Sequence, residues 1–150
     1  MSYSQIVNPT TTDRDGLRRS LKPLAAAVYS ISAVWTVLGA HDMTEIVVVL
    51  VVAAAVTVGI YGFLMPKALD KPSAGSTALT LSLVATALIL PGYWTGLPLV
   101  LGVAGAVLGY VGRNAPTGAG RSIAGFVLGL LATMGYLTIY VVDGLVLGNL

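Results

Sequence analysis

Five apolar segments, separated by short polar turns, make up most of the chain. They cover residues 24–40, 46–65, 77–94, 97–112 and 123–142, and no charged residue lies within any of them. Such runs predict α-helices that cross a lipid bilayer, because about 20 apolar residues span its hydrocarbon core. We therefore predict an all-α polytopic membrane bundle with five transmembrane helices. Two interpretations stay open for residues 77–112, because these runs are short: a pair of tilted spans or a re-entrant hairpin.

Composition supports a single membrane domain. The chain is 56% hydrophobic and only 9% charged, whereas a soluble domain averages about 25% charged residues. Residues 23–150 form the predicted membrane domain, and residues 1–22 precede it as a polar, basic segment. Leu17, Leu21 and Leu24 recur there at helical spacing. The segment is therefore either a short interfacial helix or a solvated tail.

The positions of the basic residues predict the orientation. If five spans alternate in direction, all eight lie on one side: Arg14, Arg18, Arg19 and Lys22 before the first span, Lys67 and Lys71 in the second loop, Arg113 and Arg121 in the fourth. The positive-inside rule then places the N-terminus in the cytoplasm and the C-terminus outside. These cations are also expected to contact anionic lipid headgroups. The Ala, Val, Gly and Leu bias favours a bacterial plasma membrane.

Aromatic residues are expected to form belts at both membrane interfaces. The predicted outer belt has Trp35, Tyr93, Trp94 and Tyr140, and the inner one has Tyr61, Phe63 and Tyr110.

Small residues recur at helical spacing in several spans. The stripes are Gly102, Gly105, Gly109 and Gly112; Gly125 and Gly129; Ala55, Gly59 and Gly62; and Ala78, Ser82 and Ala85. Glycine inside a helix costs about 1 kcal/mol relative to alanine, and in lipid the offsetting gain is close approach of a second helix. Five short helices do not need every stripe among themselves. We therefore expect contacts with a second copy or with other membrane subunits.

Part of the chain resembles a known family. The sequence GRSIAGFVLG (Gly120–Gly129) has the Gly-Arg-x-x-Ala-x-x-Gly pattern, and LGYVGRNA (Leu108–Ala115) precedes it. Over about residues 74–142 the chain resembles DUF4190, a small bacterial membrane domain of unknown function. That domain pairs a small-residue-rich helical hairpin with a further span. The resemblance implies this fold fragment and no enzymatic site.

Residues that could carry chemistry are scarce. Asp, Glu, Lys, Arg and His are absent from the span centres, which disfavours a proton-coupled transporter. The cluster of His41, Asp42 and Glu45 is weak as a metal site, and a turn in which Asp42 or Thr44 caps the second helix is the better interpretation. The sequence contains no Cys, no Ser/His/acid arrangement and no nucleic-acid-binding pattern. We expect no cofactor and no catalytic residue.

Two functions remain open from the sequence. The first is a small non-enzymatic accessory or assembly subunit that packs through its Gly and Ala stripes. The alternative is an oligomeric channel or small-solute transporter with Thr77, Thr80, Ser82 and Thr86 as pore-lining candidates.

Overall fold

The structure is a computed structural model that describes residues 9–39, 42–70, 74–115 and 117–143. These ranges form the helices α1 (Pro9–Gly39), α2 (Met43–Thr57), α3 (Met65–Leu69), α4 (Ala74–Leu88), α5 (Leu97–Gly112) and α6 (Ala119–Val141). A π-helical segment, Val58–Leu64, joins α2 to α3, and a 3₁₀ turn, Tyr93–Thr95, lies between α4 and α5. The predicted all-α class is confirmed.

Among the described residues, three helical stretches are long and apolar enough to cross a membrane: Asp15–Leu38, Met43–Leu69 and Ala119–Val141. α4 and α5 are apolar but shorter, with 15 and 16 residues. The prediction of a helical membrane protein is therefore confirmed at the level of helix length and composition.

The first helix starts earlier than the apolar pattern predicts. It begins at Pro9 and passes through Pro23, where the sequence places the start of the first span. A leucine stripe explains the extension, because Leu21 is buried and Leu17 and Leu24 pack against the core. Burial of an apolar face supplies most of a helix's stability in proteins. This burial offsets the cost of a proline in the helix interior.

The second helix also runs past a proline. The sequence places residues 66–76 in a turn, but α3 continues through Pro66 to Leu69, and α4 begins at Ala74. Proline has no N–H to donate and its ring displaces the carbonyl four residues earlier, which here belongs to Gly62. The preceding turns open into the π-helical segment, since π geometry accommodates such a disruption without ending the helix.

Helices α4, α5 and α6 form the tightest part of the bundle. Along α5, Gly102 lies beside Gly129 whereas Gly112 lies beside Ser122, so α5 and α6 are antiparallel. Gly75 at the start of α4 also lies beside Ser122, and Gly125 lies beside Ala78. α4 therefore runs parallel to α6, and the three helices alternate in direction.

Ser82 ties two of these helices together. Its hydroxyl is fully buried and shares its proton between two carbonyls, Gly125 O on α6 at 2.6 Å and Ala78 O at 2.9 Å. The first of these bonds connects α4 to α6. Gly125 has no side chain, so the α6 backbone approaches α4 closely enough to accept it.

We expect Ser82→Ala to lower the free energy of unfolding by about 0.5–2 kcal/mol, the range found for hydrogen bonds between membrane helices. The measurement is the shift in the midpoint of unfolding by sodium dodecyl sulfate. Thr138→Ala is the matched control, because that exposed hydroxyl donates only within its own helix, to Met134 O. Equal shifts for the two variants would contradict the role of the bond between helices.

The first two long helices pack against this three-helix core. Tyr61 in the π segment is buried and donates from its hydroxyl to Val100 O of α5 at 3.2 Å. Met65 is fully buried nearby in the same hydrophobic cluster. In the N-terminal part of α1, Arg18 forms an ion pair with Asp70, the residue after α3. α1 and the α2–α3 helix are therefore an antiparallel pair.

Candidate functional site

The glycines of α5 contact both neighbouring helices of the core. A Cβ atom added to Gly109 would lie 2.4 Å from the backbone nitrogen of Phe126, and one at Gly105 would lie 2.2 Å from the Ser82 hydroxyl oxygen. Gly102 likewise packs against α6, and Gly112 packs against both Ser122 of α6 and Ala74 of α4. The four glycines that share one stripe in the sequence thus serve two helix contacts.

The glycines of α6 complete these contacts from the other side. A Cβ at Gly125 would lie 2.7 Å from the backbone nitrogen of Leu79, and one at Gly129 would lie 2.6 Å from that of Ala106. Ala78, Ser82 and Ala85 of α4 are also fully buried. All three stripes are used within the chain. The helix packing predicted for these small residues takes place between α4, α5 and α6 of the same chain.

The stripe on the second long helix is different. Ala55, Gly59 and Gly62 are all exposed. A Cβ at Gly59 would meet no atom within 4 Å, and one at Gly62 would meet only Val58, 3.8 Å away on the same helix. Val58 and Phe63 beside them are 60% and 63% exposed. We call this surface, Val51, Val52, Ala55, Val58, Gly59, Gly62 and Phe63, the open face of α2.

The open face is large because α2 has few neighbours among the residues that the structure describes. Ala53 and Thr57 are the buried residues of α2, and Tyr29 of α1 reaches it through a 3.4 Å hydrogen bond to Leu50 O. Valines on its other sides are exposed as well. Asp42, one of the two cap candidates from the sequence, caps the helix by accepting from the Glu45 N–H at 2.8 Å.

The predicted lipid-facing cations have different surroundings. Arg18 pairs with Asp70, and the Arg113 guanidinium stacks on the Tyr110 ring, with Cζ 3.4 Å from the ring centre. The side chains of Arg19, Lys22, Lys67 and Arg121 are exposed. Those of Arg14 and Lys71 lie outside the described residues.

A buried polar and aromatic cluster, which the sequence analysis did not identify, joins α1 to the α4–α5 turn and to α6. Ser32 is fully buried against Gly96, Trp35 stacks on Tyr140 with ring centres 4.6 Å apart, and Tyr136 lies against Tyr140. The hydroxyl of Ser32 and the indole nitrogen of Trp35 have no hydrogen-bond partner among the described residues. The sequence signal that could have identified this cluster is Ser32, a polar residue within the apolar segment 24–40.

Two of the predicted belt aromatics are core residues instead, and a third, Trp35, is partly buried against one of them. Tyr140 belongs to the buried cluster just described, and Tyr61 is 3% exposed and bonded to the α5 backbone. Tyrosines near helix ends pack inside a bundle as readily as they face headgroups, provided that the hydroxyl finds a partner.

The four pore-lining candidates do not line a common surface. Ser82 faces the α5–α6 contact, whereas Thr80 and Thr86 are exposed and Thr77 is half-buried. The Thr86 hydroxyl donates to Ser82 O at 2.8 Å. Within the described ranges no three His, Cys, Asp or Glu side chains form a group that could hold a metal ion, and His41 lies outside those ranges.

Comparisons of the chain with protein-family models, with curated proteins and with solved structures found no match. The resemblance to DUF4190 over residues 74–142 therefore stays a prediction. The conclusions on function rest on the geometry of the helices.

Proposed function

We propose that the protein is a small, non-enzymatic membrane subunit that binds another transmembrane helix through the open face of α2. The observation that carries this proposal is the contrast between the stripes. The small residues that form the stripes of α4, α5 and α6 are covered by neighbouring helices of the same chain, whereas Ala55, Gly59 and Gly62 are uncovered.

Helix packing is a better match to this surface than lipid alone. Lipid tails contact leucine or valine as well as they contact glycine, so a lipid-facing helix gains nothing from two glycines that each cost about 1 kcal/mol. A second helix does gain, because its backbone approaches closely wherever side chains are small. Exposed Val58 and Phe63 beside the glycines would contact the sides of such a helix. The partner is a second copy of the chain or another membrane subunit.

Five crossings complete the proposal. The alternating directions of α4, α5 and α6, and the antiparallel pairing of α1 with α2–α3, are consistent with a chain that crosses at each long helix and through the α4–α5 hairpin. Because the eight basic residues then share one side, the N-terminus is proposed to be cytoplasmic. The membrane is proposed to be a bacterial plasma membrane.

The test is to replace Gly59 with leucine in the full-length protein. Leucine is a good helix former and a Cβ here meets no neighbouring atom, so the fold should be kept while close approach is blocked. We expect association to weaken about tenfold, since loss of helix contact worth about 1.4 kcal/mol corresponds to that factor. The readout is the amount of partner or second copy recovered in native-lipid particles, analysed by mass.

Val84→Leu is the matched control, because Val84 is also exposed and apolar but lies on α4. If Gly59→Leu and Val84→Leu recover the same assemblies as the unaltered protein, the open face of α2 is not the contact. Solute flux through the reconstituted unaltered protein, across a panel of small solutes, would favour the channel alternative instead.

A further inference from the structure

A second surface, separate from the open face of α2, has a shape and chemistry of its own. A groove of about 330 Å³ lies between α5 and α6 where α1 passes them. Its lining includes Val103, Val107 and Val111 of α5, Phe126 and Leu130 of α6, and Leu17 of α1. The groove follows α5 over two turns, which is about 12 Å at 1.5 Å per residue.

The accessible lining of the groove is entirely apolar, and no polar atom contributes to it. Two of its lining residues carry a hydroxyl, Thr133 and Tyr110. The Thr133 hydroxyl donates to Gly129 O of its own helix at 2.8 Å and is therefore already satisfied, and Tyr110 contributes only apolar surface to the lining. Binding sites for polar solutes combine apolar walls with a few converging polar groups. This groove lacks such groups along its length and matches a hydrocarbon chain.

A positive charge lies beside one end of the groove. Tyr110 lines that end, and Arg113 stacks on its ring and donates from its guanidinium to Tyr110 O at 3.2 Å. α5 ends at Gly112, so Arg113 stands where the apolar span gives way to the polar turn. A guanidinium has five N–H donors, and these contacts leave several of them for an anion. Arg18, next to the groove residue Leu17, is already paired with Asp70.

We infer that the groove binds one acyl chain of an anionic phospholipid whose phosphate is held by Arg113. The apolar lining favours a hydrocarbon chain as the ligand, and the guanidinium near its end favours an anionic headgroup. Arginine suits a phosphate because its planar fork donates two parallel hydrogen bonds. Stacking on Tyr110 fixes the fork before the lipid binds, which lowers the entropy lost on binding.

The test uses delipidated, full-length protein in detergent, titrated with phosphatidylglycerol or phosphatidylcholine and followed by native mass spectrometry. We expect Arg113→Gln to weaken the binding of the first phosphatidylglycerol molecule about tenfold, because a hydrogen bond to a charged group is lost. Phosphatidylcholine binding should change much less, so the preference for the anionic lipid disappears. Arg121→Gln is the matched control, since Arg121 is exposed at the start of α6, whereas Arg113 stacks on the groove residue Tyr110.

A second pair of variants tests the chain-binding part. Val107→Phe should fill the groove and weaken both lipids equally, whereas Val84→Phe on the exposed side of α4 should weaken neither. Equal lipid affinities for Arg113→Gln and Arg121→Gln would overturn the inference. It would also be overturned if Val107→Phe altered the oligomeric state and left lipid binding intact, because a protein segment would then occupy the groove. Neither result depends on the contact proposed for α2.

Discussion

Gly109→Leu will disrupt the three-helix core and is expected to have the largest effect of any single substitution considered. The added Cβ would lie 2.4 Å from the Phe126 nitrogen and 2.5 Å from the Ser122 carbonyl oxygen. Both are backbone atoms of α6, so they give way only if the whole helix shifts. Overpacking of this kind costs about 1–3 kcal/mol for a few extra methylenes and more where the backbone must move. We expect Gly109→Ala to lower the free energy of unfolding by about 2 kcal/mol and Gly109→Leu to prevent stable folding.

The measurement is the midpoint of detergent-induced unfolding, followed by tryptophan fluorescence. Gly120→Ala is the control, because Gly120 is also helical but a Cβ there meets no atom within 4 Å. It should be as stable as the unaltered protein or more stable, since alanine favours the helix over glycine by up to about 1 kcal/mol. Similar midpoints for Gly109→Ala and Gly120→Ala would show that the core is not packed as described.

The position of Gly109 inside the core also changes which variant can test association. From the sequence, leucine at Gly105 or Gly109 is expected to break contact with a partner. In the structure both glycines lie inside the core, so these variants would lose assembly by losing the fold. Gly59→Leu separates the two effects, because that position is open.

Gly96→Ala is expected to have the second largest effect, through two separate causes. Gly96 has a φ of +68°, in the left-handed region, and a Cβ there would lie 1.7 Å from the Ser32 hydroxyl oxygen. The backbone conformation alone costs a non-glycine residue about 1–2 kcal/mol. The clash adds to this and would push α1 away from the α4–α5 turn. We expect a total loss of about 3 kcal/mol or more in the free energy of unfolding.

Two further variants separate these causes. Gly118→Ala has the same backbone penalty, since its φ is +81°, but its Cβ meets no atom within 4 Å. It should therefore lose only the conformational part. Ser32→Gly combined with Gly96→Ala should recover part of the stability, because the atoms that clash are mainly those of the Ser32 side chain. If Gly96→Ala were no worse than Gly118→Ala, close packing of α1 on this turn would be contradicted.

Several features of the fold follow from residue order alone. Apolar runs without charges predicted the helices, and α5 begins and ends where the pattern places it, at Leu97 and Gly112. An N-cap at Asp42 or Thr44 was predictable, because a polar side chain at the start of a helix accepts from its first free N–H groups, and the structure selects Asp42. The glycine stripes were predictable as sites of close approach, since helical spacing states which residues share a face.

Two prolines show that tertiary packing can override local sequence preferences. Proline predicts a helix boundary at Pro23 and at Pro66, but both lie within helical structure. At the first, burial of Leu21 and its neighbours keeps α1 continuous. At the second, the helix widens into a π segment, and Tyr61 within that segment and Met65 directly after it are buried in the bundle. Tertiary packing outweighs proline's local penalty in both places.

The sequence by itself determined that this chain is helical, apolar enough for a membrane and supplied with small residues at regular spacing. Only the tertiary structure decided which of those residues are covered. Periodicity assigns a residue to a face of its own helix, but it carries no information on which helix lies opposite. The stripes of α5 and α6 are buried against each other and against α4, and the stripe of Ala55, Gly59 and Gly62 is left open, because burial depends on the arrangement of all the helices together.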